Sequence, residues 1–169
     1  MEINLVISNV SNQASEVIKL CKSKSKRLTT IESCTGGLLS AVLTTVPGSS
    51  EVFDCGFVTY SNEAKNKLVR VPSETIIKFG AVSVEVAIAM AQGGLNEADA
   101  DISVSITGVA GPGGGTQQKP VGLVHFGIAT NWSDTQPNSI IFSGTRDEIR
   151  YQSVEHALKM VYKEVVDLP

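Results

Sequence analysis

The chain has 169 residues, the length of one domain that can bury a sizeable apolar core. Its formal net charge of −3, with 18% charged residues and no basic tail, argues against electrostatic binding of nucleic acid. Three widely spaced cysteines, an N-terminus without a signal-peptide pattern and the lack of any run of about 18 apolar residues predict a cytoplasmic protein with no disulfide framework and no membrane span.

Apolar periodicity and turn residues predict an α/β chain in which strands alternate with helices. The predicted helices cover residues 10–25, 36–46, 63–69, 83–93 and 145–166. The predicted strands cover residues 28–32, 51–60, 101–107, 120–130 and 138–143. The last three strands follow one another without an intervening helix, which predicts a mixed sheet with an antiparallel part. No linker or repeat interrupts the chain, so we expect a single domain over residues 1–169.

Three predicted strand ends are rich in small polar residues. They are the stretches ESCTGG at 32–37, TYSNEAK at 59–65 and the glycine-rich loop that begins at Thr107 and Gly108. Open α/β sheets bind ligands at the carboxyl ends of their strands, so we expect the three loops to form one pocket. A turn without function explains any one loop, but less readily all three. The helix start at Gly36 and Gly37 is expected to attract a phosphate or an oxyanion.

The chemistry of such a pocket is narrowed by what the sequence lacks. It contains neither the Walker pattern nor a dinucleotide GxGxxG, its possible metal ligands are scattered, and its two histidines do not suggest a Ser-His-Asp triad. A lysine whose pKa is lowered by burial can instead serve as the base for a serine. Lys65 is the candidate, and the serines near it in sequence are Ser33, Ser49, Ser50 and Ser61. From spacing alone, an exposed lysine is the simpler interpretation of NEAKNK.

Five long stretches together resemble the CinA C-terminal domain family, also known as nicotinamide-nucleotide amidohydrolases. The stretches are IESCTGGLLS, VPGSSEVFDCGFVTYSNEAK, GAVSVEVAIAMAQGG, SITGVAGPGGGTQQKPVGLVHFG and FSGTRDEIR, and the likeness extends from about residue 10 to 165. The resemblance implies a three-layer α/β/α sandwich with a mixed, mostly parallel sheet. It also implies hydrolysis of the carboxamide of nicotinamide mononucleotide (NMN) to nicotinate mononucleotide and ammonia by a serine with a lysine, without metal or cofactor.

The same resemblance implies roles for individual residues. Carried over by motif, Ser50 is the expected nucleophile, Lys65 its base and Tyr60 a proton donor or orienter, with Ser33 as the rival nucleophile. The implied substrate-binding residues are Ser33, Thr35, Gly36, Gly37, Thr107, Gly108, Arg146 and Arg150. One of the two arginines is the expected phosphate partner, because a guanidinium fork suits phosphate.

Two other functions stay open at this point. The pocket could bind a pyridine nucleotide without turning it over, as a module of a competence- or damage-inducible protein, or it could hydrolyse a different amide or a phosphate ester. We expect a small-molecule substrate, no nucleic-acid or membrane partner, and a homo-oligomer.

Overall fold

The computed structural model describes residues 3–168, in which one five-stranded sheet lies between two layers of helices. The strands are β1 Leu28–Glu32, β2 Phe53–Val58, β3 Ile102–Gly108, β4 Leu123–Thr130 and β5 Gln136–Ile141. The helices are α1 Ile3–Ser23, α2 Leu38–Thr44, α3 Asn62–Val69, α4 Ser73–Phe79, α5 Val84–Glu97 and α6 Arg146–Val166. The predicted domain bounds, residues 1 and 169, lie outside the described residues.

The strand order in the sheet is β2-β1-β3-β4-β5. Strand β1 pairs in parallel with β2 and with β3, whereas β4 is antiparallel to both of its neighbours. Four of the five described strands therefore point the same way, and only β4 is reversed. This arrangement confirms the predicted mixed sheet, because β4 follows β3 through the glycine-rich loop without a crossover helix.

Successive residues of a strand point to opposite faces of the sheet, so the side chains of β3 show which helices cover each face. The residues Ile102, Val104 and Ile106 of β3 join the core that is formed with α1, α2 and α6. The opposite face of β3 is polar and meets α5, where the hydroxyl of Ser105 donates to the Ala87 carbonyl over 2.6 Å. A smaller core of Ile31, Val69, Val71, Ile76, Val86 and Met90 lies on that side, with α3, α4 and α5. The predicted three-layer sandwich is confirmed.

The bounds of most elements shift by a few residues from the predicted ranges, and three of the differences have a local cause. Helix α4 was not predicted, because its seven residues give little periodicity: Ile76 is buried while the adjacent Ile77 is 85% exposed. Helix α3 begins at Asn62, one residue earlier than predicted, because the hydroxyl of Ser61 caps it by accepting the N–H of Ala64. Strand β4 begins at Leu123, later than predicted, because Gly122 has a φ of 93°. Within residues 3–168, no helix has both the length and the apolar character needed to cross a bilayer.

Helix α5 packs closely on the end of α3 at Gly93. A Cβ at Gly93 would overlap the carbonyl oxygen of Val69, which is backbone and cannot rotate away. We expect Gly93→Ala to lower the free energy of unfolding by about 1–3 kcal/mol, although alanine favours helices. Gly113→Ala is the control, because a Cβ there has no atom within 4 Å. Urea unfolding of both variants checks this, and a Gly93→Ala midpoint equal to that of the control contradicts it.

Candidate active site

The three polar loops meet at the carboxyl edge of the parallel strands. Glu32, the last residue of β1, is in register with Val58 of β2 and with Ile106 of β3. Ser33, the next residue, therefore lies between Thr59 and Thr107 along this edge, and its N–H donates to the Ile106 carbonyl over 2.9 Å. The predicted convergence of the loops is confirmed.

The central feature of this edge is a hydrogen bond between Lys65 and Ser33. The Nζ atom of Lys65 lies 3.0 Å from the Oγ of Ser33 and also donates to the Thr59 carbonyl over 2.8 Å. The side chain of Lys65 is only 1% exposed, and Lys65 joins none of the ion pairs among the described residues. Burial lowers the pKa of Lys65 from 10.5 to about 8, with a smaller opposing effect of the Cys34 thiol. A fraction of the amine is thus neutral near pH 8 and can accept a proton from Ser33.

The position of Lys65 in α3 explains its burial. The helix begins at the Ser61 cap, and the face that points inward is formed by Lys65 and Val69, four residues apart. In the segment NEAKNK, Lys65 is therefore buried, whereas the other polar side chains are exposed. The simpler interpretation of Lys65 as an exposed lysine is wrong.

Ser50 lies elsewhere in the chain fold. It is exposed in the 3-10 turn Ser49–Glu51, which precedes β2, whereas Lys65 follows the same strand. The six residues of β2 span roughly 20 Å. Within one chain, Ser50 and Lys65 therefore lie at opposite ends of this strand. Ser33, the rival nucleophile, is therefore the serine that the structure places beside Lys65.

The start of α2 is not an open anion site, contrary to expectation. The carboxylate of Glu32 accepts the N–H groups of Gly37, Leu39 and Ser40 over 2.8–3.0 Å. Gly36 and Gly37 have φ angles of 61° and 97°, so they supply a left-handed turn that other residues rarely adopt. The glycines thus shape the loop after Ser33, and an internal carboxylate occupies the donors that a substrate would need.

Other donors in this loop stay available. In the described part of the chain, the N–H groups of Cys34 and Thr35 donate to no backbone carbonyl. The hydroxyl of Thr35 is buried without a hydrogen-bond partner among the described residues. These groups directly follow Ser33, which is where an oxyanion would form if the Ser33 hydroxyl attacked a carbonyl carbon.

Thr107 and Gly108 form the wall next to Ser33. The Thr107 hydroxyl donates to the Ala81 carbonyl over 2.8 Å and thereby fixes the segment that leads into α5. A Cβ at Gly108 would lie 2.6 Å from the Leu123 carbonyl oxygen, so this glycine allows β4 to approach. Both residues shape the site, and the Thr107 hydroxyl is engaged within the protein.

Tyr60, Arg146 and Arg150 form the outer rim. Arg146 donates to the Gly111 carbonyl over 2.7 Å and to the Tyr60 hydroxyl over 3.3 Å, so it joins the glycine-rich loop to the loop after β2. Arg150 donates to the Thr35 carbonyl over 2.9 Å. The Tyr60 ring is exposed, and its hydroxyl bonds Arg146, while only its carbonyl lies near Lys65, at 3.5 Å. The guanidinium groups retain donors for an anionic ligand.

The two histidines lie in other surroundings. His125 bonds Ser139 of the edge strand β5 over 2.7 Å, and His156 packs on the Phe126 ring with centroids 4.7 Å apart. Burial lowers the pKa of both imidazoles. Neither histidine contributes to the Ser33–Lys65 pair.

A comparison with known families identifies the chain. Residues 10–165 match the model of the CinA C-terminal domain. The chain belongs to the CinA C-terminal domain family. A crystal structure of the competence/damage inducible protein CihA from Agrobacterium tumefaciens is 40% identical, with a TM-score of 0.90 over 92% of this chain and 94% of that one.

Two relatives show how the domain occurs in longer and shorter proteins. A protein of Caldicellulosiruptor bescii, whose name refers to competence and damage induction, is 48% identical over 89% of this chain but over 36% of its own length. The chain thus spans little more than a third of that relative. The nicotinamide-nucleotide amidohydrolase PncC of Escherichia coli K12 is 43% identical over 93% of this chain and 95% of its own length.

The lowered pKa of Lys65 predicts a specific pH dependence of stability. Between about 8 and 10.5 the unfolded chain binds more protons at this lysine than the folded chain does. The contribution of Lys65 to the free energy of unfolding therefore rises with pH across this window and is constant below it. Urea unfolding at several pH values, as the difference between wild type and Lys65→Met, checks this. The exposed Lys67→Met on the same helix is the matched control, and an equal pH slope in both variants contradicts the assignment.

Proposed function

We propose that this CinA-family chain hydrolyses the carboxamide of NMN to nicotinate mononucleotide and ammonia, with Ser33 as nucleophile and Lys65 as base. The observation that carries the proposal is the buried Lys65 amine, 3.0 Å from the Ser33 hydroxyl and with a pKa lowered to about 8. The relative from Escherichia coli that is named for this activity supports the choice of substrate, because it matches nearly the whole chain.

The first half of the reaction forms an acyl-enzyme. The neutral Lys65 amine takes the hydroxyl proton of Ser33, and the Ser33 oxygen attacks the carboxamide carbon. The N–H groups of Cys34 and Thr35 stabilise the oxyanion of the tetrahedral intermediate. When the intermediate collapses, the carbon–nitrogen bond breaks, the nitrogen takes the proton from Lys65, and ammonia leaves.

The second half regenerates the serine. A water molecule attacks the ester carbon while the Lys65 amine accepts its proton, and a second oxyanion forms in the same place. The Ser33 oxygen then leaves and recovers its proton from Lys65. The net change is the consumption of one water and the release of nicotinate mononucleotide and ammonia.

Arg146 is the proposed partner of the substrate's phosphate. It is exposed at the first turn of α6, and its guanidinium already bridges Tyr60 and Gly111 at the rim of the site. A guanidinium binds phosphate through two parallel hydrogen bonds. Arg150 is held closer to the loop after Ser33 by the Thr35 carbonyl, so we assign it mainly to loop position.

A module that only binds nucleotides gains nothing from a buried lysine without an acidic partner. Keeping an amine out of water costs free energy, and such perturbed groups are concentrated at catalytic sites. No contact in the described residues favours binding without turnover. The cytoplasmic location and the homo-oligomer stay predictions.

Ammonia release from NMN tests the catalytic pair. We expect wild type to release ammonia, with kcat/KM rising with pH to a plateau above about 8 as Lys65 loses its proton. Ser33→Ala and Lys65→Met are expected to lower kcat on the order of 10³-fold or more. Ser50→Ala is the control. It is expected to retain activity, because in the folded chain Ser50 lies at the opposite end of β2 from Lys65.

Three outcomes count against the proposal. A wild-type chain that binds NMN in calorimetry but releases no ammonia overturns the activity and supports the binding module. Full activity in Ser33→Ala with loss in Ser50→Ala overturns the choice of nucleophile. A rate that is constant between pH 6 and 9 overturns the role of Lys65.

The phosphate assignment predicts a change in substrate preference. Arg146→Ala should raise KM for NMN at least about tenfold, the equivalent of 1.4 kcal/mol, and should leave KM for the nucleoside without the phosphate nearly unchanged. Arg70→Ala is the matched control, because Arg70 is exposed and pairs with Glu97 over 3.1 Å. An equal rise in KM for both substrates contradicts a phosphate contact.

A further inference from the structure

Glu32 is a buried carboxylate that the proposed reaction does not use. Its residue is 0% exposed, and its side chain accepts four hydrogen bonds. One oxygen accepts the N–H groups of Gly37 and Leu39, each at 3.0 Å, and the other accepts the N–H and the hydroxyl of Ser40 at 2.8 and 2.7 Å. The carboxylate thus ties the end of β1 to the first turn of α2 and closes the loop 33–37 from both ends.

The backbone of Glu32 reaches the other partner of the pair. Its carbonyl accepts the N–H of Thr59 over 2.7 Å, and the carbonyl of Thr59 in turn accepts the Lys65 amine over 2.8 Å. Ser33 is bonded covalently to Glu32. The nucleophile and the base are therefore both placed by one residue, the nucleophile through the closed loop and the base through Thr59.

We propose that Glu32 is a positioning residue that holds Ser33 at hydrogen-bonding distance from Lys65. This inference rests on the proposed Ser33–Lys65 reaction. Glu32 acts through the loop and does not touch the reacting atoms in the scheme.

A glutamine at position 32 has nearly the same shape as the glutamate, but one of its two polar groups is a hydrogen-bond donor. A carboxylate offers acceptors on both oxygens, and all four of its partners are donors. Glutamine would direct an NH₂ group at two of those donors and leave them without an acceptor. The loop then has to shift, and a displacement of about 1 Å between reacting groups can lower a rate about 10²-fold.

The displacement of the loop in Glu32→Gln should lower kcat and leave the pH profile of the reaction unchanged. The pKa of Lys65 is set by burial and by Cys34, and not by Glu32. We expect Glu32→Gln to lower kcat for NMN about 10²-fold, with KM and the midpoint of the pH profile unchanged. Ser40→Ala removes one of the four donors and should give a smaller loss of kcat. Thr44→Ala is the control on the same helix, because its exposed hydroxyl bonds only the Ala41 carbonyl.

A second readout separates this inference from the choice of substrate. A fluorophosphonate probe labels an activated serine without needing NMN, and mass spectrometry of the peptide that contains Ser33 gives the labelling rate per folded protein. We expect the labelling rate to fall in the order wild type, Ser40→Ala, Glu32→Gln. If wild type is labelled at Ser33 but releases no ammonia from NMN, the substrate is wrong while the positioning role is still measured.

Three results overturn the positioning role. The first is a folded Glu32→Gln variant that keeps the wild-type kcat and labelling rate. The second is a wild-type chain that the probe does not label at Ser33. The third applies if Glu32→Gln does not fold, as circular dichroism would show. In that case Ser40→Ala decides, and a labelling rate equal to that of Thr44→Ala overturns the inference.

Discussion

The fold depends on β1, an interior strand of the sheet that is short and fully buried. All five residues of β1 are buried, yet the strand contains Thr29, Thr30 and Glu32. Buried polar groups need hydrogen-bond partners inside the protein, because their desolvation is otherwise not offset. Thr29 bonds the Cys55 carbonyl, and Thr30 and Glu32 both reach Ser40 of α2. The partners of β1 therefore fix where the loop after β1 lies, and with it Ser33.

The burial of polar groups at this edge also lowers the stability of the protein. Lys65 is withdrawn from water without an acid beside it, although an ion pair would favour its charged form. A carboxylate near Nζ would raise the pKa of the lysine and remove the neutral amine that the reaction needs. Glu32 is the nearest acid in sequence to Ser33, and its oxygens are directed to the α2 backbone instead. The arrangement keeps a carboxylate and an amine close to the same serine without pairing them.

The sequence predicted the strands better than the site. Strand β1 was placed residue for residue, because its apolar and β-branched composition leaves little choice, and the resemblance supplied the family and the layers. The burial of Lys65 could not be read from NEAKNK, since a single inward lysine in a polar helix has no periodicity of its own. The distance from Ser50 to Lys65 depends on which end of β2 each residue lies at, and the order of the motifs along the chain does not show this. The role of Glu32 had one signal, an acid four residues before the Gly36–Gly37 pair. The helix start at this pair was instead interpreted as an open anion site.

The capping of the helices decides how an anionic substrate can be held. Four helices begin at the carboxyl edge of the sheet, and in each of them a side chain of this protein accepts at least one N–H of the first turn. Glu32 bonds the start of α2, Ser61 and Ser83 cap α3 and α5, and Thr145 with Glu148 forms a capping box on α6. These caps compete with a phosphate for the N–H groups at the four helix starts. Under the proposed function, the phosphate is instead bound by a side-chain cation, and the Arg146 guanidinium at the start of α6 lies at the rim of the site.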